Sequence, residues 1–485
     1  MNLKFFAGAL AVILIIALPL FGHLSELPIQ RWDEARLAIA AYEMLQTGNL
    51  LIPTIAWQPD MVSVKPPLQI WLMAVSMKLL GANELAVRLP SALTALVTCL
   101  FMYWFTAIKM RNKVLGIMAV SILVAVDGYV RLHGTRTGDY DTLLTLCTTV
   151  FLLYFYLYLR DDKPRYIIIA TVALVLGCLT KGVAALMCTP AVLLYIISSG
   201  KIKQLFTTRE FYVGLAVFVL FVPGYYLLRE HYNPGYLDAV WRNDLGGRYL
   251  QTLENHHEPW YFYFVRLIER DHAWFVFSMA AISCIFLSRD KTIQSLTAYI
   301  SLAAFSFLVV ISASGTKLDW YNLPMYPLLA LLAAIFVYEL FAWLKSRDIN
   351  PFFKFIVPAL FIGTLYFYSY SKILVRVLKP DAPDEPQFVM GRYLNEVNKG
   401  KRGEGRIVLL YSDLEQDMIW YDYVDCNITM KSVLKLVPGD EAIAQKEESI
   451  AVLEGNYSYT LIENFYGLKR YRITGIKEIP ITPPQ

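Results

Sequence analysis

The stretch Met61–Trp71, "MVSVKPPLQIW", decides how the chain is threaded. Lys65 and two prolines stand directly before a mostly apolar run, 66–80, which either crosses a bilayer or lies along its surface. A helix that crosses a hydrocarbon core of about 30 Å takes about 20 residues, and this run is shorter. It also carries Gln69, Ser76 and Lys78, which suits a helix lying in the interface. Pro66 and Pro67 suit a first helical turn, where a missing N–H costs nothing.

Outward from that stretch, apolar runs recur at about 5–22, 88–108, 114–130, 141–159, 166–180, 183–198, 211–228, 273–287, 294–313, 322–344 and 352–373. The chain is 56% hydrophobic and 17% charged, whereas soluble domains average about 45–50% and about 25%. The expected fold class is a polytopic α-helical membrane protein. If 66–80 crossed, the basic loops at 108–113, 200–204 and 345–348 would all face outward. With 66–80 on the surface and Lys4 inside, every short basic loop faces the cytoplasm: "KMRNK", "RDDKPR", "GKIKQLFTTRE", "SRDK" and "KSRD". Only the second threading obeys the positive-inside bias. It implies eleven spans, a cytoplasmic N-terminus and a C-terminus outside. The net charge of +4 then sets orientation and speaks against nucleic acid as a partner. The N-terminal segment reads as an uncleaved first span, since its apolar core is long and no small-x-small site follows. Of six cysteines, only Cys426 lies in a polar region, and no metal or disulfide spacing emerges.

This organisation gives a membrane domain over 1–379, with a first outer loop at 23–87 and a large outer loop at 229–272. "PDAPDEP" (380–386) is a proline-rich, acidic linker, and 386–485 read as a small soluble α/β or α+β domain. There "QFVMGRYLNEVN" suits a helix, while "GRIVLLY", "SIAVLE", "SYTLIE" and "KRYRITGIKEI" suit strands. That domain carries no catalytic motif, and the chain has no internal repeat.

Polar groups not needed for orientation collect on the outer face, and such a collection reads as a site. Asp33 and Glu34 open an amphipathic helix with Leu37, Ala40, Ala41, Met44 and Leu45 on one face. Asp33 is either a helix N-terminal acid or a carboxylate placed to accept a proton. Lys65 is either an interfacial anchor or a cation for a phosphate. In "RTGDYD", Arg136 and Asp139 suit a salt bridge that closes a loop, and Asp141 sits at the membrane boundary, where a carboxylate is expensive unless paired or functional. His256 and His257 in "ENHHEPW" point in different directions as neighbours, a weak signal for metal.

Taken together, "DEARLAIAAYEMLQTGNLLIP", "KPPLQIWLMAVSMKLLGANELAVRLPSAL", an Asp at a later span start, "LTKG" and "KLDWYNLPMYPLLALL" resemble the bacterial protein-mannosyltransferase-like family. That family includes the lipid A aminoarabinose transferases and belongs to the C-type membrane glycosyltransferases; the likeness covers roughly residues 1–345. It implies transfer of a sugar from a polyprenyl-phosphate carrier to a lipid A, glycan or protein acceptor, at the periplasmic face of a bacterial inner membrane. By resemblance, Asp33 and Asp141 match the two outer-face catalytic acids. Lys65 matches the phosphate-binding lysine and Tyr321 the late tyrosine near the donor phosphate. Arg248, with Lys317, completes the cations for the donor, and Glu34, Arg136, Asp139 and His257 are supporting groups. The chemistry then expected is direct displacement with inversion, with Asp33 as base. One departure is Val64, which stands where the aminoarabinose transferases usually carry Glu before the lysine. A divalent metal is therefore not expected, and Asp139 and His257 would be its fallback ligands. The rival classes are a lipid-linked sugar transporter or flippase and an envelope scaffold. A transporter would show paired, Gly/Pro-interrupted halves, which the chain lacks.

Overall fold

The computed structural model describes residues 3–131, 133–249, 258–378, 386–400, 407–413, 415–424 and 428–477. Long apolar runs with short basic links leave helices as the only way to satisfy their backbones in lipid. Among the described residues, seven helices are long and apolar enough to cross a membrane: Glu84–Lys109, Asp141–Asp161, Arg165–Ser198, Arg209–Tyr232, Lys291–Ser312, Leu323–Ser346 and Pro351–Leu378. Two further expected spans fall on the shorter apolar helices Leu3–Phe21 and Lys113–Ala125. The run 273–287 falls on Phe262–Ala280, kinked at Asp271, and on the short turns after it. The runs 166–180 and 183–198 join in one helical stretch, broken after Lys181 by Gly182 at φ 56°. A Cβ at Gly182 would also lie 2.8 Å from the Tyr226 hydroxyl.

The decisive run 66–80 forms the separate helix Leu68–Leu80. It packs with Asp33–Thr47 through Leu37, Ala41 and Met44 against Ile70, Met73 and Met77. Leu45 departs from the expected face and is exposed.

The C-terminal part holds a five-stranded sheet in the order Ile428–Lys431, Ile407–Leu410, Glu441–Ala444, Leu468–Ile476, Tyr457–Phe465. The first three strands run parallel and the last two pair antiparallel. "SIAVLE" is not a strand. It lies in the helix Glu447–Asn456, whose first turn carries Glu447 and Glu448 and whose buried Ser449 and Leu453 stand one helical turn apart. The four-residue strands Ile428–Lys431 and Glu441–Ala444 escape the sequence reading, since neither carries an unbroken run of large apolar residues like that of Ile407–Leu410.

This sheet domain sits on the first loop. Ile29, Leu37 and Met73 share one apolar core with Val389, Tyr393, Trp420 and Tyr421. At its edge the Tyr421 hydroxyl accepts from the Ile29 amide at 3.2 Å and donates to Glu84 at 3.1 Å, and the Tyr423 hydroxyl donates to Glu43 at 2.7 Å. Arg31 reaches across to Asp417 at 3.3 Å and to Gln445 at 2.8 Å.

Asp417 is fully buried, and burial pushes its carboxyl up to about 6 against the opposing pull of Arg31. A carboxyl raised above its unfolded value of about 3.9 holds its proton better in the fold, so its ionisation costs stability above pH 6 and the cost fades as pH falls. Asp417→Asn is therefore expected to match or exceed the wild-type unfolding free energy at pH 7.5, by up to about 3 kcal/mol. The gap should narrow between pH 6 and pH 4. Thermal unfolding of both proteins across that range checks this, and a gap independent of pH rejects it.

Candidate active site

The site begins at a buried ion pair. All five N–H groups of Arg88 are used: two reach Glu34 at 2.8 and 2.9 Å, and three reach the carbonyls of Leu24, Leu27 and Pro28 at 2.8, 2.7 and 2.6 Å. Glu34 also accepts the amides of Gln30 at 2.8 Å and Gly138 at 2.9 Å, which fills both its oxygens twice. Gly138 is required there, because a Cβ would lie 2.5 Å from the Val87 side chain. Glu34 is thus a structural group.

Its neighbour Asp33 opens the helix Asp33–Thr47 beside Trp32, which is held at φ 69°, ψ −113°. His133 is likewise held at φ 61°. Two non-glycine residues at positive φ on one site mark stored strain. One ligand atom from each of Asp33, His133 and Asp139 lies within 4.8 Å of the others. His133 Nδ1 is 3.2 Å from Asp139, and its ring stacks on Trp320 at 3.9 Å. Burial disfavours a charged imidazole, but the Asp139 hydrogen bond and the charges on Asp139, Asp33 and Asp141 outweigh it, so His133 titrates above its usual range. Burial likewise works against the Asp139 carboxylate, while the His133 bond and the Lys181 charge outweigh it and hold Asp139 below its usual range. The three groups are able to pass a proton or to hold a divalent cation. Val64 adds no ligand. It is buried among Tyr225, Tyr236 and Val240, and its carbonyl accepts the Tyr236 hydroxyl at 2.6 Å.

Beyond Asp139 the chain turns into the helix Asp141–Asp161. Asp141 accepts two bonds of 2.6 Å from Lys181, which closes the helix Arg165–Lys181. Both line a cavity of about 400 Å³, whose polar lining includes Lys65, Asp244 and Tyr321 and whose apolar lining includes Leu186, Phe307 and Ile311. Lys181 stands 5.0 Å over the Tyr321 ring, and Lys65 stands 5.5 Å from that of Tyr140.

Several expectations change. Arg136 does not pair with Asp139; it donates to the carbonyls of Pro19 and Gly22 at 3.0 and 2.6 Å, closing the end of the first helix. Lys317 is buried and donates to the Ser314 carbonyl at 2.6 Å, while its neighbours Thr316 and Tyr321 line the cavity. Arg248 lies in the segment Trp241–Tyr249, with its side chain outside the described residues, as is the whole of His257. Sequence reasoning missed His133 and Lys181. The second stood in plain view within "LTKG", a cation at the end of a span.

The bundle of long apolar helices and the juxtamembrane helix pair define a polytopic α-helical membrane protein. Residues 64–226 match the family model described as dolichyl-phosphate-mannose-protein mannosyltransferase. Among relatives, the chain is 25% identical over 332 residues to an undecaprenyl phosphate-alpha-4-amino-4-deoxy-L-arabinose arabinosyl transferase of Proteus mirabilis, covering 67% of this chain and 59% of that one. It is 25% identical over 404 residues to the Pseudomonas savastanoi enzyme of that name, covering 80% of this chain and 71% of that one. Its fold is that of ArnT from Cupriavidus metallidurans bound to undecaprenyl phosphate: TM-score 0.66, 15% identity, 99% of each chain. The chain is thus similar to the protein-mannosyltransferase family model over residues 64–226 and to those arabinosyl transferases over longer stretches.

Adjacent carboxylates with different duties should separate in stability. Glu34→Ala leaves Arg88 buried without its partner and is expected to cost about 3–5 kcal/mol. Asp33→Asn removes only a helix-terminal charge, worth less than about 1 kcal/mol. Thermal unfolding of the two purified variants checks the contrast; equal losses would remove the division of labour.

Proposed function

We propose that the protein is an integral membrane glycosyltransferase that moves a sugar from a polyprenyl-phosphate carrier to a lipid, glycan or protein acceptor. One observation carries this reading: Lys65 and Lys181, the second paired with Asp141, line one cavity with the apolar side chains of Leu186, Phe307 and Ile311. The carrier's tail lies along the apolar walls and its phosphate meets the two lysines. The acceptor hydroxyl attacks the anomeric carbon from the face opposite the phosphate, and Asp33 takes its proton. The bond from the anomeric carbon to the phosphate oxygen breaks with its electron pair on that oxygen. Fixed ammonium groups favour the charge that develops there by several kcal/mol, and a single displacement inverts the anomeric centre. Asp141, held by Lys181, positions that lysine. The short basic loops support a cytoplasmic N-terminus with the site and the sheet domain on the periplasmic side of an inner membrane.

Lys65→Ala is expected to weaken polyprenyl-phosphate binding at least tenfold with little change in melting temperature. Asp33→Asn should keep that binding and lose transfer, because an amide accepts no proton. Transfer from a lipid-linked donor by purified variants, measured beside carrier binding, reads both; wild-type turnover in either variant refutes its assigned role.

A second reading has its own observation, the cluster of Asp33, His133 and Asp139. If these groups hold a divalent cation, Asp33 is a ligand rather than the base. On the metal-free mechanism, a strong chelator leaves transfer unchanged. Loss of activity that Zn²⁺, Mn²⁺ or Mg²⁺ restores selects the metal.

A further inference from the structure

The sheet domain has a crevice of the kind in which α/β sheets bind ligands. The strand that follows Ile407–Leu410 in sequence, Ile428–Lys431, pairs on one side of it, and the next, Glu441–Ala444, pairs on the other. Strand order thus reverses at Ile407–Leu410, and ligands of such sheets sit outside the carboxyl ends of the strands at that point. Asp413, in the turn after Leu410, spans the opening. It accepts the amides of Gln445 and Lys446 at 2.6 and 3.4 Å, and the Ser449 hydroxyl. The group that enters here is Arg31 of the first outer loop. Its guanidinium donates to Gln445 at 2.8 Å and to Asp417, in the first turn of the helix Gln416–Val424, at 3.3 Å. Gly391 lets the helix Pro386–Asn398 close on the same segment, since a Cβ there would lie 3.2 Å from the Pro28 side chain and 3.3 Å from the Ile29 carbonyl. The charge on Asp417 does little for the fold: the carboxyl is buried, one of its oxygens has no hydrogen-bond partner among the described residues, and burial outweighs the pull of Arg31. What it does is hold Arg31 in place.

That grip ends two residues before Asp33. Between them Trp32 has φ 69°, and its side chain is 61% exposed, so packing does not impose this backbone. A strained residue persists only where its neighbours over-determine it. On one side Gln30 is fixed by its amide on Glu34 at 2.8 Å and by its carbonyl, which accepts the Ala35 amide at 3.1 Å. On the other the Trp32 carbonyl accepts the Arg36 amide at 2.9 Å. Arg31 ties the middle of this turn to the sheet domain. We propose that Arg31 and Asp417 are positioning residues for the transfer: by fixing the turn at Trp32 they set the Asp33 carboxylate beside His133 and Asp139, so that the sheet domain takes part in the reaction through the first loop. The inference rests on the transfer reading above, in which Asp33 is the base. Freed from Asp417 and Gln445, the turn relaxes toward an ordinary negative φ and carries Asp33 with it; a misplacement of about 1 Å costs a reacting group about a hundredfold in rate.

The test uses the full chain in nanodiscs of phosphatidylcholine. Undecaprenyl phosphate 4-amino-4-deoxy-L-arabinose and undecaprenyl phosphate mannose serve as donors and lipid A as acceptor; release of undecaprenyl phosphate reads turnover onto either the acceptor or water. Arg31→Met is expected to lower kcat at least tenfold while undecaprenyl phosphate binds as it does to the wild type. Asp417→Asn, no less stable than the wild type on the argument given with the fold, should lower kcat at least threefold. The double variant should fall no further than Arg31→Met alone, because both changes break one contact. Tyr423→Phe removes the bond to Glu43 at another point of the same interface and should leave kcat unchanged, which separates positioning from mere cohesion of the two domains. Hydrogen exchange gives a readout that needs no substrate: the amides of residues 30–36 should exchange at least tenfold faster in Arg31→Met, while those of Leu68–Leu80 keep the wild-type rate. Wild-type kcat in Arg31→Met overturns the proposal. So do additive losses in the double variant, an equal loss in Tyr423→Phe, or unchanged exchange at 30–36. A wild type that neither binds undecaprenyl phosphate nor releases it from a donor strikes the transfer reading instead, and the exchange rates then decide by themselves whether Arg31 fixes the turn.

Discussion

Everything on the site face hangs from the bond between Glu34 and Arg88. One guanidinium gathers the carbonyls of Leu24, Leu27 and Pro28, so the exit from the first helix is drawn onto the start of Glu84–Trp104. One carboxylate gathers the amides of Gln30 and Gly138, so the loop before Asp141 is drawn onto the same point. Every donor and acceptor of the pair is filled, the condition under which a buried ion pair is tolerable. Asp33 and Asp139 are the immediate neighbours of Glu34 and Gly138. Their meeting is a by-product of the hub, and the strain at Trp32 and His133 is what closing it costs.

Around that hub the electrostatics divide by neighbour. On one side, Lys65 and Lys181 line an apolar chamber with Asp141 and Asp244, and Asp141 pairs with Lys181. On the other, the guanidinium groups of Arg131, Arg266 and Arg270 share Asp319. Ammonium groups are compact and suit a phosphate at the end of a lipid, whereas planar guanidinium forks suit an anion read in two directions. The cluster of Asp33, His133 and Asp139 adjoins, through His133, a second cavity that Arg131, Arg270 and Asp319 also line.

Much of this was legible in the residues. Basic loops and the shortness of 66–80 set that segment apart from the spans, and it forms a helix of its own, Leu68–Leu80. The motifs drew attention to Asp33, Lys65, Asp141 and Tyr321 by their order along the chain, and the structure puts the last three on one cavity. The roles of Glu34 and Arg136 were not legible, since both serve backbone groups that are distant in the chain. Lys317 looked like a free cation and is a local cap. His133 escaped notice because a lone histidine in a loop carries no periodic or spacing signal, and its value depends on Asp33, a hundred positions earlier. "SIAVLE" misled for another reason: a short apolar run fits both periods, and only the acids before it favour a helix.

The sheet domain's grip on the first loop has a consequence in time. Glu34 and Arg88 are 54 residues apart, but Ile29 and Tyr421 are 392 apart. At about 5–20 residues per second, a ribosome takes roughly 20–80 s to make that interval. The hub therefore closes early, while Arg31 and the apolar faces of Asp33–Thr47 and Leu68–Leu80 wait for partners not yet synthesised. A chain stopped short of Gln416 keeps the hub yet leaves Met44, Met73 and their neighbours bare to water, the kind of surface that quality-control machinery binds and degrades.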